Sequence, residues 1–569
     1  LPRHLNKHID FETCCAPLPN AENARSLAFP MDMAITQDGT TLYVAAFGSS
    51  KIGIFDTAAL EHDTFQPDAA NQIPVSGGGP SGVVLDEARG RLYVLTRFDN
   101  AISILDLQRR TEIAHIALYN PEPPSIVRGR PFLYDATRTS SHGDSACASC
   151  HVFGDFDGLG WDLGDPDNVV LLNGGQFTIT PAGAGFPQVS QHFLPLKGPM
   201  TTQSLRGLAN HGAMHWRGDR QDNLTPSAQP DQGAFDEAAA FKKFNIAFQS
   251  LNGRRDQLTD AEMQAFTDFI LQITYPPNPV RRLDNALTDD QQAGRTLFFT
   301  RRTETLFACN DCHVLDPTGN AAFGITKPGF FGTDGRFSFE LEPQSFKIPH
   351  LRNLYQKIGM FGMPRTAATS GFLTFLTDTL DPTVDNLFMG EQIRGFGFLH
   401  DGSIDTIFRF LGASGFVQRP PNTLFPGDPG NPEGFPVTLE GIEERRQVEE
   451  FLLAFDSNLA PIVGQQVTLT RDNGQVVAPR LQLFMDRAAQ GECDLVAKGG
   501  GHGYLYVGGG LFRRDQHDKP AIPDMALRAF ARVPEGEITY TCVPPGAGVR
   551  IGLDRDEDGR LDGDEPRAR

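Results

Sequence analysis

The order C-x-x-C-H occurs twice in this chain, as Cys147, Cys150 and His151 in "SACASCHVF" and as Cys309, Cys312 and His313 in "FACNDCHVL". Three chemistries use paired cysteines at that spacing. A thioredoxin-like redox site needs a single C-x-x-C in a βαβ setting, and neither motif has one. A zinc site needs four ligands, its pairs usually about 15 to 20 residues apart, and the gap here is far longer. Covalent haem attachment needs two thiols for the vinyl groups and a histidine immediately after them for the iron. Both motifs meet that demand in a chain with only eight Cys and fourteen His. The reading is therefore two covalently bound haem c groups, with His151 and His313 as proximal iron ligands.

The flanks agree with that reading. "GRPFLYDATR" precedes the first motif and "TDAEMQAFTDFILQI" follows it; "TDDQQAGRTLFFT" precedes the second and "EGIEERRQVEEFLLAFD" follows it. Two of these segments open with capping boxes, Thr259 with Glu262 and Thr288 with Gln291, which predict helix starts. In the last, Val448, Phe451, Leu452 and Phe455 share one face. Each motif thus lies between the first and last helices of a cytochrome c domain. The expected fold is multidomain: two mainly α cytochrome c domains in tandem, 121–280 and 281–458, between N-terminal propeller-like blades at 1–120 and a small β-rich domain at 459–569.

A second signature follows each motif: "LKGPMTTQSLRGLANHGAMHWRGDR" after the first, and "FKIPHLRNLYQKIGMFGMP" with "GFGFLHDGSIDTIFRFL" after the second. This pairing over about 125–458 resembles the bacterial di-haem cytochrome c peroxidase superfamily, including the di-haem enzyme that matures methylamine dehydrogenase and the di-haem rubber oxygenases. The resemblance implies an aromatic residue between the haems, and Trp216 stands in that place. His215 replaces the family's Phe and could be a distal ligand, a pocket acid/base or a packed substitute. Trp161 is expected in the core. Arg206 and Arg352 would hold haem propionates, or else form surface salt bridges. His400 of the H-D-G motif could ligate the second iron or sit behind the propionates. The family's Met beyond that His is Ser414 here, which leaves Met360, Met363 and Met389 as thioether candidates. The family's peroxidases carry a distal His about fifteen residues past the first motif, and no His occurs between His151 and His192 here, so the resemblance implies a first haem open to peroxide or oxygen, with Glu237 as the nearest acid/base or a solvated helix-start carboxylate.

The N-terminal part carries an internal repeat. "MDMAITQDGTTLYVAAFGSSKIGIFDT" and "PSGVVLDEARGRLYVLTRFDNAISILDL" align Tyr43 with Tyr93 and Asp56 with Asp106. Each reads strand, turn, strand, turn, strand, and resembles one blade of a YVTN-type β-propeller. Further blades are expected upstream or from a partner chain. At the other end, "DRDEDGRLDGDE" fits a calcium loop: Asp554, Asp556, Asp558, the Arg560 carbonyl, Asp562 and Glu565, with Gly559 at the turn and Pro566 following. Cys493 and Cys542 are expected to pair, and Cys14 and Cys15 either bond to each other or pair elsewhere.

A net charge of -20 with no basic stripe excludes nucleic acid as a partner and suits a basic redox protein or a small-molecule substrate. No apolar run is long enough to span a membrane. The start at "LPRHLNKHID" has neither Met nor a leader pattern, so a removed leader is expected. Haem attachment, disulfides and calcium together predict a periplasmic or extracellular bacterial protein. The expected function is a peroxidase-like di-haem oxidoreductase, with peroxide or oxygen at the first haem and the second as electron relay through Trp216. The alternatives are an electron carrier with both irons six-coordinate, and a binding or assembly protein.

Overall fold

The computed structural model describes residues 2–565 except 166, 174–191, 210, 222–234, 306, 316–331, 338–345, 359–396, 403, 405, 414, 422–429 and 535. Met360, Met363, Met389, Ser414 and Pro566 lie outside the described residues. The chain divides into two compact units. One comprises Leu1–Ile273, Lys327–Pro349 and Leu399–Gly402; the other comprises Thr274–Thr326, His350–Phe398 and Ser403–Arg569. Two short segments that follow the second C-x-x-C-H motif in sequence therefore belong to the first unit.

The first unit opens with two four-stranded antiparallel sheets, each in sequential order. The first contains β1 (Pro30–Ile35), β2 (Thr41–Ala46), β3 (Lys51–Asp56) and β4 (Gln72–Pro74); the second contains β5 (Pro80–Asp86), β6 (Arg91–Thr96), β7 (Ala101–Asp106) and β8 (Thr111–Ala117). The sequence repeat is a register repeat. Tyr43 lies opposite Ala34 and Ile54, and Tyr93 opposite Val84 and Ile104. Each unit has one strand more than its expected three. Alternation puts Tyr43, Ala45 and Ile52 on the face that packs against Leu92, Val94 and Leu105 of the second sheet.

The opposite face of the first sheet, Val44, Ala46 and Phe55, is covered by Leu5, Leu27, Leu60 and Phe65. The far side of the second sheet is more open, with Val84 65% and Leu95 41% exposed. No closed propeller is formed among the described residues.

The helical middle repeats one device in each unit. Helix α1 (Pro124–Tyr134) packs on α2 (Asp260–Ile270), and α3 (Asp289–Thr300) packs on α4 (Leu439–Leu453). Thr259 and Thr288 cap α2 and α3 through the boxes their sequences announce. At each crossing one helix offers a glycine. A Cβ on Gly129 would fall 2.3 Å from the Ala265 carbonyl oxygen, and one on Gly294 would fall 1.8 Å from that of Gln447. Aromatic side chains close around the contacts: Phe132, Phe266 and Phe269 in the first unit, Phe298, Phe451 and Phe455 in the second, all 5% exposed or less. Each such ring contributes roughly 1.5–3 kcal/mol by burial.

The C-terminal part is an antiparallel six-stranded sheet in the spatial order Gln466–Leu469, Ile538–Val543, Asp494–Gly499, His502–Tyr506, Leu511–Arg514 and Ile522–Pro523. The expected Cys493–Cys542 disulfide joins its core. It is not β-rich alone. A helix of 16 residues, α5 (Gly474–Ala489), lays Leu481, Phe484 and Met485 into the same core. No helix among the described residues is long and apolar enough to cross a membrane.

Replacing an exposed mid-helix glycine by alanine ordinarily stabilises by about 1 kcal/mol. At Gly294 the sign should reverse, because the new methyl group meets backbone. Gly294→Ala is expected to lose about 1–3 kcal/mol in urea unfolding, and a stabilised variant would show that α3 and α4 do not cross there.

Candidate functional site

Both C-x-x-C-H motifs form a single helical turn. The His151 amide donates to the Cys147 carbonyl at 2.9 Å and the His313 amide to the Cys309 carbonyl at 2.8 Å. A side chain at the third position ties each turn back to its start: Ser149 Oγ accepts from the Ala146 amide at 3.1 Å, and Asp311 Oδ2 from the Ala308 amide at 2.9 Å. None of the four motif cysteines is in a disulfide, whereas the other four are bonded in pairs. Burial pushes the Cys147 and Cys309 thiols up to about 11. Protonated, unbridged thiols suit addition to a vinyl group better than a zinc thiolate cluster or a redox disulfide.

His151 shows how the first turn is prepared. Its Nδ1 donates to the Gln203 carbonyl at 2.8 Å, which fixes the ring and leaves Nε2 available to a metal. Burial lowers its pKa, against the pull of that carbonyl, and nearby His215 lowers it further. The ring nevertheless keeps open surface. These features fit a c-type haem at the first motif, and the Cys309–His313 turn offers the same donor set to a second.

His215 and Trp216 belong to the same environment. His215 has φ +67, and its Nδ1 is 2.9 Å from Asp219 Oδ1, with the ring edge-on to Phe244 at 4.7 Å. Burial lowers the His215 pKa in spite of Asp219. Asp219 moves the other way: burial alone would raise it, but His215, Arg220 and Arg217 hold it far below the carboxylate range. His215 faces this ionised carboxylate through Nδ1. Its Nε2 has no hydrogen bond among the described residues. Trp216 is half-buried and its Nε1 donates to the Thr201 carbonyl at 2.8 Å. Trp161, expected in the core, is 41% exposed and donates to Asp157; only two short strands hold it, so no core forms around the ring.

The late segments of the first unit complete this region. The Thr201 amide donates to the His400 carbonyl at 2.7 Å, and the His400 ring stacks on Phe346 at 4.2 Å. The next residue, Lys347, donates its amide to the Trp216 carbonyl at 3.0 Å. Its Nζ lies 3.2 Å from the ring nitrogens of His211 and donates to the Ala213 carbonyl at 2.7 Å. Glu237 is half-buried at the start of its helix. Its Oε1 accepts from the amides of His211 and Gly212, and burial raises its pKa. His211, Asp219 and Lys347 escaped the sequence reading. Lys347 stands in the conspicuous K-x-P stretch, but nothing local says that it folds against Trp216.

The two arginines differ. Arg206 pairs with Asp155 at 3.2 Å. Arg352, in the second unit, is 3% exposed, donates to Asn458 Oδ1 at 3.2 Å and lies over the Tyr275 ring; burial brings its pKa down to about 10. Beside the second turn, Thr303 Oγ1 lies 3.6 Å from Cys309 Sγ.

In the acidic loop, carboxylate oxygens of Asp554, Asp556 and Asp558 lie within 4.8 Å of one another. Asp554 is 7% exposed, and its buried Oδ1 has no hydrogen-bond partner among the described residues. Gly559 has φ +89 and donates to Asp554 Oδ2. Asp562 instead pairs with Arg555 at 2.8 Å. Glu565 stands outside the cluster; desolvation and then Asp556, Asp562 and Asp558 raise its pKa. The Arg560 side chain reaches the Asp564 carbonyl.

No family model matches this chain, and no curated protein does. Among solved structures it is similar at low identity to hydrazine synthase of Kuenenia stuttgartiensis. One match has 20% identity and a TM-score of 0.14 over 16% of this chain and 23% of that one. Another, from the enzyme pressurised with 20 bar xenon, has 16% identity and a TM-score of 0.31 over 58% of this chain and 88% of that one. A MauG-like protein associated with microbial copper homeostasis has 15% identity and a TM-score of 0.27 over 59% and 90%. At these scores no residue role is transferred.

The Asp219 carboxylate, held far below its ordinary pKa of about 3.9, contributes stability that is complete at neutral pH and lost only as pH falls through the depressed value. Asp219→Asn is therefore expected to cost about 3 kcal/mol at pH 7. The gap to the unsubstituted protein should narrow only below about pH 4. Unfolding curves across pH check this, and a gap that closes already near pH 6 would implicate His215 instead.

Proposed function

We propose that this chain is an exported di-haem c-type cytochrome oxidoreductase of the peroxidase type. The observation that carries the reading is the pair of C-x-x-C-H turns whose cysteines form no disulfide and whose Cys147 and Cys309 thiols are pushed up by burial, the first with its histidine already aimed by a backbone carbonyl. Cys147, Cys150 and His151 would hold one haem, and Cys309, Cys312 and His313 the other. Haem, when bound, supplies a redox-active iron able to engage peroxide or oxygen and exchange single electrons.

The protein side of that chemistry falls to few groups. The Asp219 carboxylate keeps the His215 proton on Nδ1 and leaves Nε2 basic, so His215 can take and return a proton in the cleft. Trp216, pinned through its indole N–H, serves as the relay between redox centres. Glu237, its carboxyl raised by burial, offers a second proton store beside His211. Arg352 in the second unit and Arg206 in the first would each take a propionate, Arg206 sharing its donors with Asp155. Peroxide or oxygen is the small co-substrate, and the acidic chain takes its electrons from, or passes them to, a redox partner protein or small molecule outside the cytoplasm.

One observation favours a second reading. His215 is near enough to His151 to influence it and has its Nε2 free, so it could instead close the sixth position of the first iron and make the chain an electron carrier. Absorption and EPR spectra before and after peroxide and carbon monoxide separate the two. The peroxidase reading expects a high-spin haem that binds carbon monoxide and responds to peroxide; two low-spin haems indifferent to both would establish the carrier. Cys147→Ser/Cys150→Ser is expected to lose one of the two haems by intact mass, leaving the other attached.

Calcium would bind Asp554, Asp556 and Asp558, where a buried carboxylate oxygen awaits a cation, with the Arg560 carbonyl and Glu565 drawn in and Asp562 released from Arg555. Millimolar calcium should then raise the melting temperature and EGTA lower it, by linkage. Asp554→Ala is expected to abolish the difference, and an equal calcium effect in that variant would place the ion elsewhere.

A further inference from the structure

Cys14 and Cys15 are bonded to each other and lie exposed on the first unit. Their segment is strapped to loops beside the first attachment turn. Ser141 Oγ donates to the Ala16 carbonyl at 3.1 Å and Asn20 Nδ2 to the Ser141 carbonyl at 3.0 Å. The Ser141 amide in turn donates to the Asn252 carbonyl at 3.0 Å. Gly253 forms the seat of the disulfide. Cys14 Sγ lies 3.8 Å from the Gly253 carbonyl oxygen. A Cβ on Gly253 would fall 3.2 Å from Cys14 Sγ and 3.5 Å from Cys15 Sγ, at a φ of +64 that itself favours glycine. The preceding side chain, Asn252, brings Nδ2 to 4.0 Å from Cys147 Sγ. The disulfide and an attachment thiol therefore touch consecutive residues of one loop.

We propose that the Cys14–Cys15 disulfide is a second redox site, through which an external dithiol delivers electrons to the haem carried by Cys147; the proposal rests on the di-haem reading above. The dithiol attacks the exposed bond, leaves as its own disulfide and converts Cys14 and Cys15 to thiols. The two thiols then lose two protons to water and two electrons, one to each ferric haem of the di-haem reading with the haem carried by Cys147 as the point of entry, and the Cys14–Cys15 bond re-forms. Surface exposure admits the dithiol. The Gly253–Asn252 step leads inward to Cys147. A disulfide serving only to clip the N-terminal segment would need neither contact.

The test mixes oxidised, haem-loaded full-length protein with dithiothreitol without air, follows the haem band, and traps thiols by alkylation for peptide mass spectrometry. The peptide carrying Cys14 and Cys15 is expected to gain two alkyl groups before the haem is reduced. Cys14→Ser/Cys15→Ser should slow reduction by dithiothreitol about tenfold or more, while reduction by dithionite stays unchanged. Gly253→Ala, which displaces the disulfide from its seat, should slow haem reduction but not alkylation. Reduction of the double variant at the unsubstituted rate, or haem reduction with the peptide unalkylated, would overturn the port. Purified chain without any haem spectrum would sink the di-haem reading itself, and the port with it.

Discussion

Desolvation of the leading thiol in each C-x-x-C-H turn, Cys147 and Cys309, is the constraint on which the rest depends. A thiol kept protonated and unbridged, beside an imidazole stripped of water, exists only if the surrounding chain supplies walls without closing the space. In the first unit the walls are the Phe132, Phe241 and Phe266 cluster and the loops carrying Gln203 and Asn252. The side chains that line the cleft then need partners of their own. His151 takes a carbonyl and His215 takes Asp219. These bonds engage Nδ1 of each ring and leave Nε2 for another partner.

The second theme is discontinuity. Phe346, Lys347 and His400 are remote in sequence from Trp216, yet they close the same polar web through Thr201 and the backbone of Trp216. A buried lysine costs several kcal/mol unless its hydrogens are placed. Here they are placed on the Ala213 carbonyl and beside His211. Such a web rigidifies the indole more than packing alone would, which suits a residue whose orientation matters.

What was legible in the sequence was local. Thr259 and Thr288 announced their helices because a capping box is written in four consecutive residues. The strand repeat was legible because Tyr43 and Tyr93 mark the same point of the same register. The buried face of α4 followed from helical spacing. What failed was non-local or masked by composition. Helix α5 carries Pro479 and a glycine-rich flank that hid the spacing of Leu481, Phe484 and Met485. Trp161 looked like core because tryptophan usually is, yet among the described residues no element packs over it. Asp219, His211 and Lys347 gain meaning only from neighbours that the chain brings back from elsewhere. In the acidic loop the three aspartates converged as their spacing implies, while Asp562 was diverted by an arginine seven residues earlier.

The glycine crossings also impose an order of events on a chain made from its N-terminus. Each attachment turn is synthesised soon after the first helix of its pair, whereas the helix that locks against Gly129 or Gly294 arrives only after the long intervening loops. Until then the entropy of the open loop keeps the pair apart, and both thiols of the turn remain within reach of whatever must modify them. Because the partner helix meets glycine and not a side chain, docking needs no rearrangement once it comes. On the proposed di-haem reading, the fold thus leaves an interval for covalent chemistry at each turn and ends it with the second helix of the pair.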